Sequence, residues 1–174
     1  MEEMQWPMPM DNLEGTRCNL RLLAPRDIPD MIQACSDPLT QRFTTIPHIY
    51  TEEMAQEFVA AERAWAIVDE DDVYCGHIEL RLESLDNRTV NVGYLAAPWA
   101  RGKGLTTDAL KVVMAHAFRH GAHRFEVRCA VDNKASRAVA RNAGATEEGI
   151  LRGAEYLGGE FHDIVLHARL RPTE

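Results

Sequence analysis

Residues 90–118 constrain the fold of this chain more than any other stretch. Val90-Asn-Val-Gly-Tyr-Leu-Ala96 reads as a strand and Arg101-Gly-Lys-Gly104 as a glycine loop. Behind the loop, Leu110, Val113, Met114, Ala117 and Phe118 recur at i, i+3, i+4, i+7 and i+8, the period of one buried helix face. Two residues without a Cβ let the backbone turn sharply between strand and helix and bring several N–H groups to bear on one point. Those donors, with the positive end of the helix dipole, make an anion site suited to phosphate. The same glycines also suit a left-handed turn that does no more than start a helix.

Two phosphate loops are excluded by spacing. A P-loop needs Gly-Lys-Ser/Thr with a glycine upstream, but Gly104 follows Lys103 and Ala97 holds the upstream position. A dinucleotide fingerprint needs a third glycine where Thr107 stands.

With 174 residues, the chain is expected to form a single domain over residues 1–174, burying roughly 70% of its unfolded surface. The acidic, Pro/Met-rich residues 1–15 are expected to be flexible or loosely packed. A net charge of −8 argues against broad nucleic-acid or membrane binding, both of which need excess Lys and Arg. Cys18, Cys35, Cys75 and Cys129 lie far apart, and no signal peptide or apolar span is visible. Reduced thiols in the cytoplasm are therefore expected. The histidines show no spacing such as His-Glu-x-x-His, so no metal is implied.

Strand character is seen at residues 17–23, 65–68 and 74–82, the last alternating Ile78, Leu80 and Leu82 with His77, Glu79 and Arg81. Pro25-Arg26-Asp27 opens a helix, residues 38–50 read as a Pro/Thr-rich connection, and Thr51 is a plausible cap for a second helix. Phe125, Val127, Cys129 and Val131 mark a strand that completes a strand–helix–strand unit, which runs parallel and right-handed. Asp132-Asn133 caps a short helix that stops at Gly144, and residues 146–156 and 163–170 form a final hairpin. The predicted fold is mixed α/β (α+β): a mostly antiparallel sheet of about seven strands, one parallel crossover, and helices on both faces.

Arg101-Gly-Lys-Gly104-Leu-Thr106 resembles the Arg/Gln-x-x-Gly-x-Gly/Ala pyrophosphate loop of the GNAT acyltransferases, with Thr106 replacing the usual last small residue. Leu20-Arg-Leu-Leu-Ala-Pro-Arg-Asp27, Asp132-Asn-Lys-Ala-Ser136, Ala143-Gly144 and Glu148-Gly-Ile-Leu-Arg152 extend the likeness to the Rim-type branch. That branch includes enzymes acetylating the N-terminal amine of ribosomal proteins. The resemblance implies acyl-coenzyme A between the two parallel strands, its pantetheine arm paired with the backbone of Leu95 and Ala96. It implies the pyrophosphate on the N–H groups of Gly102, Lys103, Gly104, Leu105 and Thr106, with Arg101 and Lys103 adding charge at the mouth. Asn133 and Ser136 have the spacing of a helix cap. The resemblance adds that Asn133 holds the pantetheine arm and Ser136 protonates the departing thiolate, a task suited to a helix N-terminus.

Acyl transfer also needs a neutral amine and a stabilised oxyanion; the resemblance assigns the oxyanion to a backbone N–H near Leu95 or Ala96. At pH 7, deprotonation costs ~1 kcal/mol for an α-amino group of pKa ~7.8 and ~4.6 kcal/mol for a lysine of pKa ~10.4. The carboxylate common on the central strand of GNAT enzymes is replaced by Asn91, which cannot take a proton. Match to the Rim-type segment makes Glu155 the candidate base, with Glu79 the runner-up. The expected activity is transfer from acetyl-coenzyme A to a primary amine, foremost a protein or peptide N-terminus, directly in a ternary complex and without metal. A small-molecule amine acetyltransferase and a non-catalytic acyl-coenzyme A-binding protein remain the alternatives. A homodimer is compatible with the sequence.

Overall fold

The computed structural model describes residues 3–173. Its strands are β1 (Leu13–Glu14), β2 (Asn19–Leu22), β3 (Ala64–Val68), β4 (Tyr74–Ser84), β5 (Thr89–Ala96), β6 (Arg124–Ala130), β7 (Thr146–Leu157) and β8 (Glu160–Leu170). Its helices are α1 (Ile28–Cys35), α2 (Pro38–Arg42), α3 (Glu52–Ala60), α4 (Leu105–Arg119) and α5 (Lys134–Asn142), with short 3-10 turns at Pro25–Asp27 and Pro98–Ala100. Among the described residues, eight strands make one sheet in the order β1-β2-β3-β4-β5-β6-β8-β7. This is the expected mixed α/β architecture with one strand more, the two-residue β1. Every neighbouring pair is antiparallel except β5 and β6, which α4 connects.

That parallel pair is short. Registered pairing runs from Thr89 opposite Arg124 to Val92 opposite Val127 and goes no further. Both strands nonetheless continue: β5 stays paired to β4 as far as Ala96, and β6 to β8 as far as Ala130. Residues 93–96 therefore part from residues 128–130, and the sheet opens as a wedge.

Side chains divide the sheet into two faces with period two. Val90, Val92, Phe125, Val127 and Cys129 are buried on the face covered by α4 and α5. On the opposite face, α3 packs through Phe58, whose ring lies 5.1 Å from that of His77. Beyond it Glu79, Arg81, Asn91, Glu126 and Arg128 form a polar ladder across β4, β5 and β6. The buried stripe of α4 comprises Leu110, Val113, Met114, Ala117 and Phe118, the positions that the helical period selects.

Two stretches differ from the sequence reading. Within residues 38–50, expected as a connection, α2 forms because the Asp37 side chain accepts the Thr40 N–H at 3.0 Å and Pro38 fills the first turn, where its missing N–H is harmless. Of residues 1–15, expected to be flexible or loosely packed, residues 1 and 2 lie outside the described residues, and the stretch that follows lays Met4, Met8 and Leu13 into the core. Its backbone is tied down by Gln5 N donating to the His120 carbonyl at 3.0 Å and by Trp65 Nε1 donating to the Asp11 carbonyl at 2.9 Å. All four cysteines are buried and unbridged. No described helix is long and apolar enough to cross a membrane.

Candidate active site

The glycine loop ends on Gly104, which begins α4 with φ of +75°; Gly102 has the same φ. Only glycine takes this left-handed conformation freely. No side chain caps the helix start, so the first-turn amides are left for a ligand. The loop is braced from below by Asp108, a buried first-turn carboxylate. It accepts the backbone N–H groups of Arg17 and Cys18 at 2.7 and 3.1 Å and the Thr16 hydroxyl at 3.0 Å. Burial alone would raise the Asp108 pKa; the hydrogen bonds from Arg17, Thr16 and Cys18 outweigh it and hold the carboxyl below its usual value.

A cavity of about 620 Å³ joins this loop to the wedge. Gly93, Leu95 and Ala96 line it from β5, and Arg128, Cys129 and Ala130 from β6. Gly102, Gly104, Leu105 and Thr106 line it from the loop, and Asn133 and Ser136 from α5. Glu155 reaches it from β7. The pairing of β7 with β8 shifts register between Leu151 and Glu155, a bulge that re-aims the following side chains.

At the floor, three side chains meet. Tyr94 Oη lies 2.8 Å from Ser136 Oγ, and Cys129 Sγ lies 3.2 Å from the same oxygen. The Ser136 backbone N–H is separately bound to Asn133 Oδ1 at 3.1 Å, so the cap leaves the hydroxyl free for other work. Burial raises the Tyr94 pKa, with the neighbouring Cys129 adding to the shift, and keeps the phenol protonated. Burial likewise raises the Cys129 thiol, and the charge of Glu155 adds a smaller push in the same direction.

The remaining sequence-selected residues are placed as follows. Arg101 borders the cavity, but its Nη2 is 2.6 Å from Asp37 Oδ2 and 3.2 Å from Thr40 Oγ1, so its guanidinium ties the loop to α2. Lys103 is exposed and outside the cavity wall; its carbonyl faces Arg17 Nη1 at 3.5 Å. Glu79 is buried between Arg81, whose Nε donates at 2.7 Å, and Arg63 at 3.4 Å, and is not part of the cavity wall. Asn91 donates to Glu83 at 2.8 Å.

Sequence reasoning missed three residues of this constellation. Tyr94 is one of several aromatics that the sequence offers either to an acceptor pocket or to packing, and Cys129 has the inward parity of its strand; neither is selected, because nothing local announces that the strands part beside them. Arg17 joins the glycine loop only through the tertiary contact of the β1–β2 turn with α4, and no sequence signal marks it.

A sheet opened beside its one parallel pair, with an uncapped glycine-started helix at the opening, makes a cleft that runs from a potential anion site into the sheet. The chain belongs to the GNAT acetyltransferase family: the acetyltransferase (GNAT) domain model matches residues 17–146. Among curated relatives, it is 36% identical over 91 residues to the ribosomal-protein-serine acetyltransferase of Escherichia coli strain K12, covering 52% of this chain and 50% of the relative. The chain spans about half the length of the curated relatives that it matches at 35% and 36% identity. Among solved structures, RimL, a ribosomal-protein α-N-acetyltransferase in complex with coenzyme A, superposes with a TM-score of 0.78 at 27% identity, over 94% of this chain and 97% of that one. A GNAT-family acetyltransferase from Bacillus anthracis shares the fold with a TM-score of 0.83 at 20% identity, over 92% and 99% of the two chains.

Proposed function

We propose that this protein transfers an acetyl group from acetyl-coenzyme A to the amine of a protein or peptide N-terminus, directly in a ternary complex. The observation that carries this reading is one cavity in which the uncapped start of α4, the β5 backbone that has no partner on its β6 side and the Ser136 hydroxyl all meet. Acetyl-coenzyme A supplies a thioester carbonyl and a sulfur leaving group. The chain's own residues do the rest. The amides of Gly102 to Thr106 hold the pyrophosphate, aided by the helix dipole. The backbone of Leu95 and Ala96 orients the pantetheine arm and presents an N–H to the carbonyl oxygen as negative charge develops. Asn133 borders the same arm.

Ser136 delivers a proton to the departing sulfur and regains one from the newly acylated nitrogen through water, while Tyr94, 2.8 Å away and kept protonated by burial, orients the hydroxyl. Glu155 takes the proton of the incoming ammonium, directly or through one water. An α-amino acceptor asks only ~1 kcal/mol of that base at pH 7, against ~4.6 kcal/mol for lysine. Cys129 stays a thiol because it is buried, which favours direct transfer over an acyl-cysteine relay. The N-terminal acceptor draws support from RimL, an α-N-protein acetyltransferase, and a protein acceptor from the Escherichia coli relative, a ribosomal-protein-serine acetyltransferase.

The test follows thiol release from acetyl-coenzyme A with free-amino peptides, N-blocked lysine peptides and small amines. Turnover confined to free N-termini is expected. Preference for small amines would move the acceptor assignment. Micromolar binding without turnover on any acceptor would leave a binding protein, and no binding at millimolar concentration would remove the acyl-transfer reading altogether.

A further inference from the structure

The end of α4 away from the glycine loop carries a second cluster of reactive side chains. His116 and His120 stand one turn apart, so both imidazoles project from the same helix face. The segment preceding β1 crosses that face and brings Asp11 to it. One donor atom from each of Asp11, His116 and His120 lies within 4.8 Å of the other two. The two rings are 4.3 Å apart between centroids.

Both rings are oriented by backbone carbonyls. His116 Nε2 lies 2.9 Å from the Pro9 carbonyl, and His120 Nδ1 lies 2.9 Å from the His116 carbonyl. A carbonyl only accepts, so these nitrogens carry the hydrogens and the other nitrogen of each ring keeps its lone pair. An imidazole N–H fixed on a carbonyl while the second nitrogen stays basic is how ligating histidines are commonly held. The scaffold is firm on both sides. Trp65 stands edge-on to His116 at 5.6 Å, and the same indole holds the Asp11 carbonyl. His120 is also the C-cap of α4, where the negative end of the helix dipole favours a cation.

We propose that Asp11, His116 and His120 bind one divalent transition-metal ion of the Zn²⁺, Co²⁺ and Ni²⁺ class, with water completing its coordination. Two imidazoles and a carboxylate suit these ions, whereas Mg²⁺ and Ca²⁺ prefer oxygen ligands throughout. Tetrahedral bonds of ~2.0–2.2 Å set neighbouring donors about 3.3 Å apart, so the three atoms draw together by no more than about 1.5 Å. The side chain of Asp11 is exposed and has the freedom to supply that movement. The ion staples the N-terminal segment to the end of α4. It lies a helix length, roughly 20 Å, from the glycine loop, and so is separate from acyl transfer. The histidine pair is visible in the sequence at i and i+4, but the third ligand comes from the far end of the chain, so the spacing alone implied no metal.

Untagged protein stripped with chelator and titrated with Co²⁺ tests this, reading the visible d–d bands and Tm. Saturation at one equivalent with a raised Tm is expected. His120→Ala and Asp11→Asn should each weaken Co²⁺ binding at least tenfold, while His123→Ala, outside the cluster, binds as the parent does. The Tm and near-UV circular dichroism of each metal-free variant report whether the fold survives. Asp11→Asn keeps the backbone carbonyl that anchors Trp65, and thus removes ligation with the segment's packing intact. No saturation at one equivalent, or parent-like binding by either ligand variant, overturns the proposal.

Discussion

Ser136 makes two sets of contacts through two different atoms, and substitution separates them. Its backbone N–H satisfies the Asn133 cap while its hydroxyl faces Tyr94 and Cys129. Ser136→Ala should therefore keep the stability of the fold and the affinity for coenzyme A while lowering kcat by about 10²–10⁴, the usual range for a lost general acid; steady-state kinetics beside a binding titration would read both. Asn133→Ala should do the reverse, costing about 1 kcal/mol of stability through the lost cap and raising KM for acetyl-coenzyme A. Asp108 behaves differently again, because it accepts from three residues of the β1–β2 turn at once. Asp108→Asn leaves an amide N–H₂ facing donors, and urea denaturation should register a loss of about 2–4 kcal/mol, as expected for a charged acceptor removed from a buried network.

The glycine loop is legible as an element because its shape rests on backbone. Glycines at φ of +75° and an uncapped helix start follow from Arg101-Gly-Lys-Gly104 and the apolar period behind it. Gly104→Ala would meet Arg17 only at ordinary contact distance, 3.6 Å, so the cost is conformational, about 1–2 kcal/mol. A drop in coenzyme A affinity larger than that loss of stability explains would assign the loop to binding; a Tm shift alone would make it a structural turn. The Asn133 cap and the strand alternation were equally readable, since each depends on neighbours within four residues. What the sequence hid depends on distance. Tyr94 and Cys129 are not singled out until the strands beside them part, Arg17 meets the loop only across the fold, and Arg101 turns towards Asp37 because α2 forms where a plain connection was expected. Glu155 owes its place in the cavity wall to a strand bearing a bulge, and bulges leave little trace in alternation alone.

At the scale of the whole molecule, buried histidines set how the fold meets acid. Burial lowers the pKa of His77 to about 4, and Arg81 adds to the effect; His167 is shifted down for the same first reason. Between an unfolded value of ~6.5 and the folded one, the unfolded chain binds more protons, so stability falls as pH drops through that window, by up to ~1.4 kcal/mol per pH unit for each such group. Asp37 and Asp108 have lowered folded pKa values: burial opposes the shift, but the Arg101 side chain and the hydrogen bonds around Asp108 prevail. Their contribution is present above ~3.9 and is lost only as pH falls further, through the folded values. Urea midpoints should therefore decline already between pH 6.5 and 5; a flat profile there would contradict the histidine burial. The parted strands carry a last consequence. Amides that face no partner strand exchange their hydrogens readily, so in the free protein the wedge side of residues 93–96 should take up deuterium ahead of the paired stretch at residues 89–92. A bound pantetheine arm would act as the absent neighbour, bridging two halves of a sheet otherwise joined by four residue pairs, and slowed exchange on both sides of the gap would record the ligand as a piece of secondary structure that the chain does not encode.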